Sequence, residues 1–520
     1  MITKVVIGDL YTDILGILPC HVDEALNAYL TFKYEEQELG RLITKYECFL
    51  FRKDSGYYVY TGLLPYVNIF FQKYNINPFD IKDQRIKSKE LNLEYRVDPK
   101  CIEGITLRDD YQVPVVETVL RKRKGIIHIP TRGGKTEVML GIIASYLQKE
   151  KPKAKITFIA KDNNLVSNFC GRLEKRGFTD YSVLNASGCD PNVSILCCVV
   201  NSFYNKVIKS EEVGEIEKRL LDTDVLLLDE CHNLPGNMFH SSFIELCKVH
   251  HPSIVACFSG TPFINHIEPY THPRDVLLIG LTNGIIYNLD NQYLIDNKYK
   301  AQANVVWLEP KTKSSSYEYK SYSKVYENFI TNNMYRNIMA CEAIEKIVSN
   351  GFRCLVLVDR IEHGETILKL LSNCGGGVKF KSGTSGIKVM EDGMMVELKA
   401  NNYDIVEDFN KDNFSVLIGT SIFNTGTDFP GCNWLVLLSG GGGDNDILNM
   451  QRTSRVLCFC GYDNNGYIVD FIDSSHKYTS SQSRNRNKFY KRNGYNIKFG
   501  SEALDKVLLN SKILKGNINN

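Results

Sequence analysis

The chain has 520 residues, 43% hydrophobic and 23% charged. That is a globular balance, long enough for about three domains. A formal net charge of only +2 excludes a globally basic chain, so any polyanion site must be a local patch. No run of about 18 apolar residues offers a membrane span. Asp9, Asp13, Asp23 and Glu24 near the start break any basic-then-apolar signal pattern. The 16 cysteines include no Cys-x-x-Cys spacing, so reduced buried thiols are expected and not a zinc frame.

In chain order, residues 1–95 are rich in tyrosine and phenylalanine and carry no phosphate-binding signature. Gly62-Leu63-Leu64-Pro65-Tyr66-Val67 predicts entry into a helix over Asn68–Tyr74, and the charged stretch Lys82–Lys89 reads as a linker. A small mixed α/β domain is expected there. Residues 105–280 alternate β-rich runs with helical segments. The runs are Gly125–Ile129, Ile156–Ala160, Ser194–Val200, Asp224–Leu228 and Ser253–Phe258. Continuously apolar strands between helices imply a parallel sheet covered on both faces.

A second set follows at Cys354–Val358, Val378–Lys381, Ser415–Ile418, Leu435–Leu438 and Tyr467–Phe471. Two successive arrays of this kind predict two domains of one type. The polar stretch Lys311–Tyr326 is expected to cross the surface between them, and Asn332–Val348 is expected to be helical. The Gly440-Gly441-Gly442-Gly443 run reads as a loop after a strand. No short-period repeat is present, which excludes a solenoid. Residues 474–500 contain no acid, but they hold Lys477, Arg484, Arg486, Lys488, Lys491, Arg492 and Lys498, interleaved with Tyr478, Phe489, Tyr490 and Tyr495.

Three segments carry chemistry. In Pro130-Thr131-Arg132-Gly133-Gly134-Lys135-Thr136 a strand ends, a glycine turn follows and a helix begins. Backbone N–H groups of such a turn, with a helix N-terminus behind them, can close around phosphates. Lys135 supplies a point charge and the Thr136 hydroxyl a magnesium ligand. Ile129 stands where the strict pattern has glycine. Asp229-Glu230-Cys231-His232 follows a buried-type strand, where ligands bind in open α/β sheets. Asp229 would hold magnesium and Glu230 would polarise the attacking water. In the second array, Gln451-Arg452-Thr453-Ser454-Arg455 offers arginines for transition-state charge. Nucleoside triphosphate hydrolysis is the common denominator.

In this order the segments resemble superfamily II helicases and translocases. Leu107-Arg108-Asp109-Asp110-Tyr111-Gln112 is similar to the family's adenine-reading element, with one extra aspartate. Pro130–Thr136 has the form common there, which often lacks the first glycine. Asp229–His232 matches the Asp-Glu-x-His box, and Ser259-Gly260-Thr261-Pro262 the element that couples hydrolysis to strand movement. Gly426-Thr427-Asp428 and Gln451–Arg455 match the last two motifs, with Cys458 where another arginine is usual. Within the family, the chain is similar to phage UvsW-type branch-migration helicases at Gly62-Leu63-Leu64, Val358-Asp359-Arg360 with His363-Gly364, and Asp470-Phe471-Ile472-Asp473 before a basic aromatic tail.

The resemblance implies two tandem RecA-like parallel-sheet domains with a small N-terminal α/β domain. The expected boundaries are an accessory, DNA-binding domain over 1–95, a first RecA-like domain over 96–283, a second over 284–475 and a basic extension over 476–520. It implies ATP and Mg2+, with Gln112, Thr131, Arg132, Gly133, Gly134, Lys135, Thr136, Gly426 and Asp428 around the nucleotide and Thr136 and Asp229 at the metal. Lys135, Glu230, Gln451, Arg452 and Arg455 are the implied catalytic residues, and Ser259, Gly260 and Thr261 the coupling element.

Loops after strands place Lys161, Ser202, Arg360, Ser382, Thr420 and Ser421 on a nucleic-acid track that grips backbone phosphates and reads little sequence. The implied partners are DNA, branched, forked or single-stranded, and RNA–DNA hybrids, with no membrane. The implied location is cytoplasmic, in the host if phage-encoded. The leading expectation is an ATP-dependent DNA helicase for branched DNA in replication, recombination or repair. The alternatives are an RNA-directed helicase or transcription-release ATPase, a restriction-type motor subunit, and a nucleic-acid-binding scaffold whose motor Cys458 has weakened. For the tail, two readings stay open: a grip on nucleic acid, or a solvated basic helix packed on the second domain.

Overall fold

A computed structural model describes residues 2–38, 41–85, 96–149, 151–185, 188–209, 214–249, 251–264, 271–310, 321–383, 386–399, 402–423, 429–443, 445–458 and 463–516. The chain divides into two compact units, one of residues 1–130 with 134–290 and one of 131–133 with 291–520.

The first unit begins with a five-stranded sheet in the order Phe51–Lys53, Gly56–Tyr60, Tyr11–Gly16, Ile2–Ile7 and Asp80–Asp83. The last strand pairs in parallel with Ile2–Ile7. Lys82 and Asp83 therefore belong to a strand and not to the expected linker, while residues 86–95 lie outside the described residues. A hairpin of Thr31–Glu38 and Arg41–Cys48 stands beside this sheet. The following helix runs from Leu64 to Lys73, with Pro65 in its first turn. Proline has the helical φ preset and needs no N–H there, so the helix starts one turn before the expected Asn68.

The N-terminal sheet does not bury its hydrophobic face by itself. Leu10, Phe49, Tyr60 and Leu63 share one core with Leu226, Leu228, Val276 and Leu281 of the segments that follow. Gly62 sits at this junction. A Cβ there would lie 2.0 Å from the backbone oxygen of Ile279, so only glycine permits the approach.

Those later segments build a seven-stranded sheet in the order Tyr181–Leu184, Ile195–Val199, Ile156–Ala160, Val225–Leu228, Ile254–Ser259, Lys124–His128 and Ile285–Asn288. Every adjacent pair is parallel. The central strands are buried along their whole length, which is why they read as unbroken apolar runs. The two edge strands are half exposed and gave no such run.

In the second unit a nine-stranded sheet runs Met394–Leu398, Ile387–Glu391, Val378–Lys381, Val416–Gly419, Cys354–Leu357, Trp434–Leu437, Asn465–Phe471, Gln302–Leu308 and Asn496–Phe499. It is parallel except at the hairpin Ile387–Glu391 with Met394–Leu398 and that hairpin's pairing with Val378–Lys381. The hairpin turns through Asp392 and Gly393, both at positive φ. Asp-Gly is a strong hairpin signal for that reason. The helix expected at Asn332–Val348 spans Met334–Ser349 and is capped by the Asn333 side chain. Residues 311–320 are outside the description, but Tyr322–Tyr326 is helical with Val325 and Tyr326 buried, so this end of the expected surface crossing is packed. Residues Lys477–Arg492 form one helix.

Among the described residues, no helix is long and apolar enough to cross a membrane. The described cysteines are free thiols, most of them buried.

Candidate active site

In the first unit the strands are parallel, so their carboxyl ends share one edge. That edge receives Lys135 after Lys124–His128, Lys161 after Ile156–Ala160, Ser202 after Ile195–Val199, Asp229 after Val225–Leu228 and Ser259 at the end of Ile254–Ser259. Lys161 is exposed and Ser202 half-buried.

Lys135 opens the helix Lys135–Lys149. The turn before it carries two residues at positive φ, Arg132 at 74° and Gly134 at 75°. The Lys135 Nζ lies 3.0 Å from Glu230 Oε1 and 3.6 Å from Asp229 Oδ1. Burial alone would push the Lys135 ammonium down. Glu230 and Asp229 outweigh it and hold the group above the usual lysine range, so it stays charged. Asp229 moves up, chiefly through burial and against the pull of Lys135.

Glu230 adopts a left-handed backbone at φ 51° and ψ 51°. For a residue with a Cβ this costs about 1–3 kcal/mol and is found where function holds a side chain in place. The Glu230 N–H donates to Asp229 Oδ1 at 2.9 Å, and Asn233 Nδ2 donates to the Glu230 carbonyl at 2.9 Å.

His232 was part of the recognised box, but no role followed from its position. Its Nδ1 lies 3.0 Å from Ser259 Oγ and 3.3 Å from Glu230 Oε2. Ser259 Oγ also accepts from the Thr261 N–H at 3.1 Å. The carboxylate site and the Ser259-Gly260-Thr261 segment are thus joined through one imidazole. Burial depresses the His232 pKa, with Glu230 opposing. His128 ties the same segment to the sheet, with Nε2 3.1 Å from the Gly260 carbonyl oxygen.

Gln112 is buried and accepts from the Arg108 N–H at 3.0 Å. Its Nε2 lies so near Gly134 that a Cβ on that glycine would be 2.4 Å away. The Arg108 guanidinium packs 5.6 Å from the Tyr111 ring centroid. The extra aspartate in the Leu107–Gln112 segment leaves Gln112 against the glycine turn.

The donor set suits a nucleoside triphosphate. A helix N-terminus, a charged lysine and two adjacent carboxylates converge, and Thr131 Oγ1 is a buried hydroxyl without a hydrogen-bond partner among the described residues. One hydroxyl, Thr136, and one carboxylate, Asp229, are the modest ligand set that Mg2+ takes when it arrives on substrate phosphates.

In the second unit, Arg360, Ser382, Thr420 and Ser421 follow the carboxyl ends of Cys354–Leu357, Val378–Lys381 and Val416–Gly419. Ser382 and Thr420 are buried, whereas Ser421 is exposed. Arg360 donates to Ser323 Oγ at 2.9 Å and lies 5.1 Å over the Tyr326 ring. Gly426 and Asp428 fall outside the described residues.

Gln451 and Arg452 are on the helix Asp446–Thr453, and Arg455 is in the turn Ser454–Val456. Arg452 is buried. It donates to Asp359 Oδ1 at 2.5 Å and to the Gly441 carbonyl at 3.1 Å. Asp359 also accepts from the Tyr326 hydroxyl at 2.9 Å. Arg452 is therefore engaged in holding its own unit together. The Arg455 Nε donates to the Gln451 carbonyl at 3.0 Å. Cys458 follows half-buried. Asp359 is the residue that sequence reasoning left without a role, and its place beside Arg360 after a strand was the available signal.

Residues 105–264 match the family described as Type III restriction enzyme, res subunit, and residues 339–460 the Helicase conserved C-terminal domain. "Putative helicase 22" of Sulfolobus islandicus filamentous virus is 22% identical over 464 residues, 85% of this chain and 74% of that protein. The DNA 3'-5' translocase XPB2 of Sulfurisphaera tokodaii is 22% identical over 419 residues, 74% of this chain and 87% of its own length. Among solved structures, Saccharomyces cerevisiae Dbp5 bound to RNA and ADP BeF3 aligns with TM-score 0.51 at 13% identity, covering 77% of this chain and 92% of that one. T4 UvsW aligns over 96% of this chain and 99% of its own at 14% identity and TM-score 0.41. The Dbp5 alignment shows that the two parallel sheets form tandem RecA-like domains.

Proposed function

We propose that this chain, a member of helicase superfamily II and an ATP-hydrolysing enzyme, is a DNA translocase that remodels branched DNA by branch migration or by unwinding forks and RNA–DNA hybrids. The observation that carries the motor reading is the Lys135 ammonium held 3.0 Å from Glu230 and 3.6 Å from Asp229 at the carboxyl edge of a parallel sheet. The choice of DNA draws on the relative named as a DNA translocase. The choice of branched substrates draws on the Gly62-Leu63-Leu64, Val358–His363 and Asp470–Asp473 patterns.

In this reading Lys135 and the N–H groups of the turn bind the β- and γ-phosphates, and Gln112 recognises the adenine edge. Glu230 orients the attacking water and accepts its proton. Mg2+, when bound through Thr136 and Asp229, supplies charge neutralisation at the phosphates. Arg455 stabilises the charge that develops on the transferred phosphoryl group. Arg452 sets the position of the Arg455 turn through Asp359, and Gln451 does so through its carbonyl. The His232–Ser259 contact transmits the state of Glu230 to the Thr261 segment.

ATPase rates measured across a fork, a four-way junction, single-stranded DNA, an RNA–DNA hybrid and single-stranded RNA test the proposal. The highest stimulation is expected with the fork or junction. Stimulation by RNA alone would overturn the DNA assignment, and no nucleic-acid-stimulated turnover at all would overturn the motor reading.

A further inference from the structure

The helix Lys477–Arg492 resolves the two readings of the basic tail by dividing them between its faces. Arg486, Phe489 and Tyr490 are buried, and Arg486 has no exposed surface. Its guanidinium donates to both oxygens of Asp470, at 2.9 and 3.0 Å. Lys477, Arg484, Lys488 and Lys491 are all exposed. At 100° per residue these four fall within an arc of about 60°, and they span about 21 Å along the axis. The helix contains no acid, and the tail's one exposed arginine ion pair here, Arg492 with Asp446, lies off the stripe. A stripe of four cations on an otherwise neutral helix complements a regularly charged polyanion.

The opposite face touches the helix that carries Gln451 and Arg452. The Gly443 N–H donates to Gln482 Oε1 at 2.5 Å, and a Cβ on Gly443 would lie 2.3 Å from the Gln482 carbonyl oxygen. Arg486 Nη1 donates to the Gly440 carbonyl at 2.9 Å. Gly441 in the same run accepts from Arg452. After the basic helix, the Tyr495 hydroxyl lies 3.0 Å from Thr453 Oγ1. The four-glycine run is the layer between the stripe and the arginines, because only glycine lets the two helices approach this closely.

We propose that Lys477, Arg484, Lys488 and Lys491 form a binding stripe for a nucleic-acid phosphate backbone, and that the Gly440–Gly443 layer conveys its occupancy to the helix bearing Gln451 and Arg452. The proposal rests on the nucleic-acid reading above and adds a contact surface outside the strand-end loops. It gives the low-complexity glycine run a mechanical purpose.

The test compares full-length wild type with the quadruple variant K477Q/R484Q/K488Q/K491Q, using a fluorescein-labelled duplex DNA and anisotropy titrations over a series of KCl concentrations. Each lost phosphate contact lowers the slope of log K against log salt by about 0.9. The variant should therefore lose about 3 to 4 from the slope, with an unchanged melting temperature because all four side chains are exposed. The control K506Q/K512Q, on the exposed side of the last helix, should keep the wild-type slope. An unchanged slope in the quadruple variant, or an equal loss per charge in the control, overturns the stripe. Gln482→Ala should retain the slope while duplex stimulation of ATP turnover falls at least several-fold. Full stimulation in that variant overturns the coupling. Wild-type ATP turnover in the same samples tests the motor reading independently.

Discussion

The two parallel-sheet units place their charges at the same kind of edge and use them differently. In the first, Lys135, Asp229 and Glu230 meet one another in a partly exposed group whose side chains keep 15 to 18% of their surface. In the second, Arg336, Arg452 and Arg486 are buried against Asp473, Asp359 and Asp470. The first arrangement is a site waiting for a more highly charged ligand. The second is an internal frame whose charges are already spent on each other. An arginine in a recognised motif is therefore not by that fact a reacting group, and Arg452 and Arg455 separate on this ground.

The largest expected effects fall in the first unit. Lys135→Ala should reduce ATP turnover to background while leaving the unfolding midpoint near that of wild type, as phosphate release and a urea titration would show. Retained turnover would remove the phosphate-site assignment. Next comes the contrast within the second unit. Arg455→Ala should lower kcat by about 10³, as expected when an arginine that stabilises phosphoryl charge is lost. Arg486→Ala should instead destabilise the protein by about 3–5 kcal/mol, because Asp470 is left buried and unpaired. If Arg455→Ala destabilised as much as Arg486→Ala with kcat intact, the division between frame and site would fail.

The same division explains what the sequence could and could not convey. Strands such as Ile156–Ala160 and Val378–Lys381 were located to the residue, because burial on both faces or a sharp polar boundary leaves a signal in composition. Gln302–Leu308 was missed although it is largely buried: it joins its sheet only through pairing with Asn465–Phe471 and Asn496–Phe499, far away in sequence. The Asp392-Gly393 turn was present to be recognised, but its flanking strands are too mixed in polarity to stand out.

At the site, spacing identified the residue types that meet the phosphate. The partners of those residues, His232 for Ser259 and Asp359 for Arg452, depend on which strand ends are neighbours, and one-dimensional spacing does not carry that. Several residues that carried the finer resemblance prove structural here. Gly62 is a close-packing glycine, His363 is buried under Asn337, and Asp470 is the partner of Arg486.

Gly62 gives a smaller effect in the first unit. Gly62→Ala drives a methyl group into the Ile279 carbonyl and should destabilise by about 1–3 kcal/mol, the range for overpacking. Because the N-terminal sheet shares its core with the seven-stranded sheet, the loss should appear in one cooperative urea transition of the first unit. A separate early transition of residues 1–85 would show instead that the N-terminal sheet folds independently.

Two buried histidines, one in each unit, give the finest comparison. Burial depresses both. Glu230 opposes the effect at His232, whereas at His363 the Arg336 guanidinium adds to it and the pKa falls to about 3. His363 Nε2 lies 3.0 Å from Asn337 Oδ1, and its Nδ1 has no hydrogen-bond partner among the described residues, so the neutral Nε2–H tautomer fits. Between about pH 3 and the unfolded value near 6.5, the unfolded chain binds a proton that the folded chain refuses. Folding stability at His363 is therefore whole above about pH 6.5 and declines as pH falls below it, by up to about 1.4 kcal/mol per pH unit. His363→Gln keeps an amide donor for Asn337 and cannot titrate. Urea titrations at pH 7, 6 and 5 should show the variant losing less stability than wild type at each step. The equivalent change at His232, whose pKa Glu230 lifts back toward the ordinary range, should flatten the profile less. Identical acid slopes in wild type and His363→Gln would mean that this imidazole is protonated in the folded unit, and that the second frame is more open to water than its buried ion pairs imply.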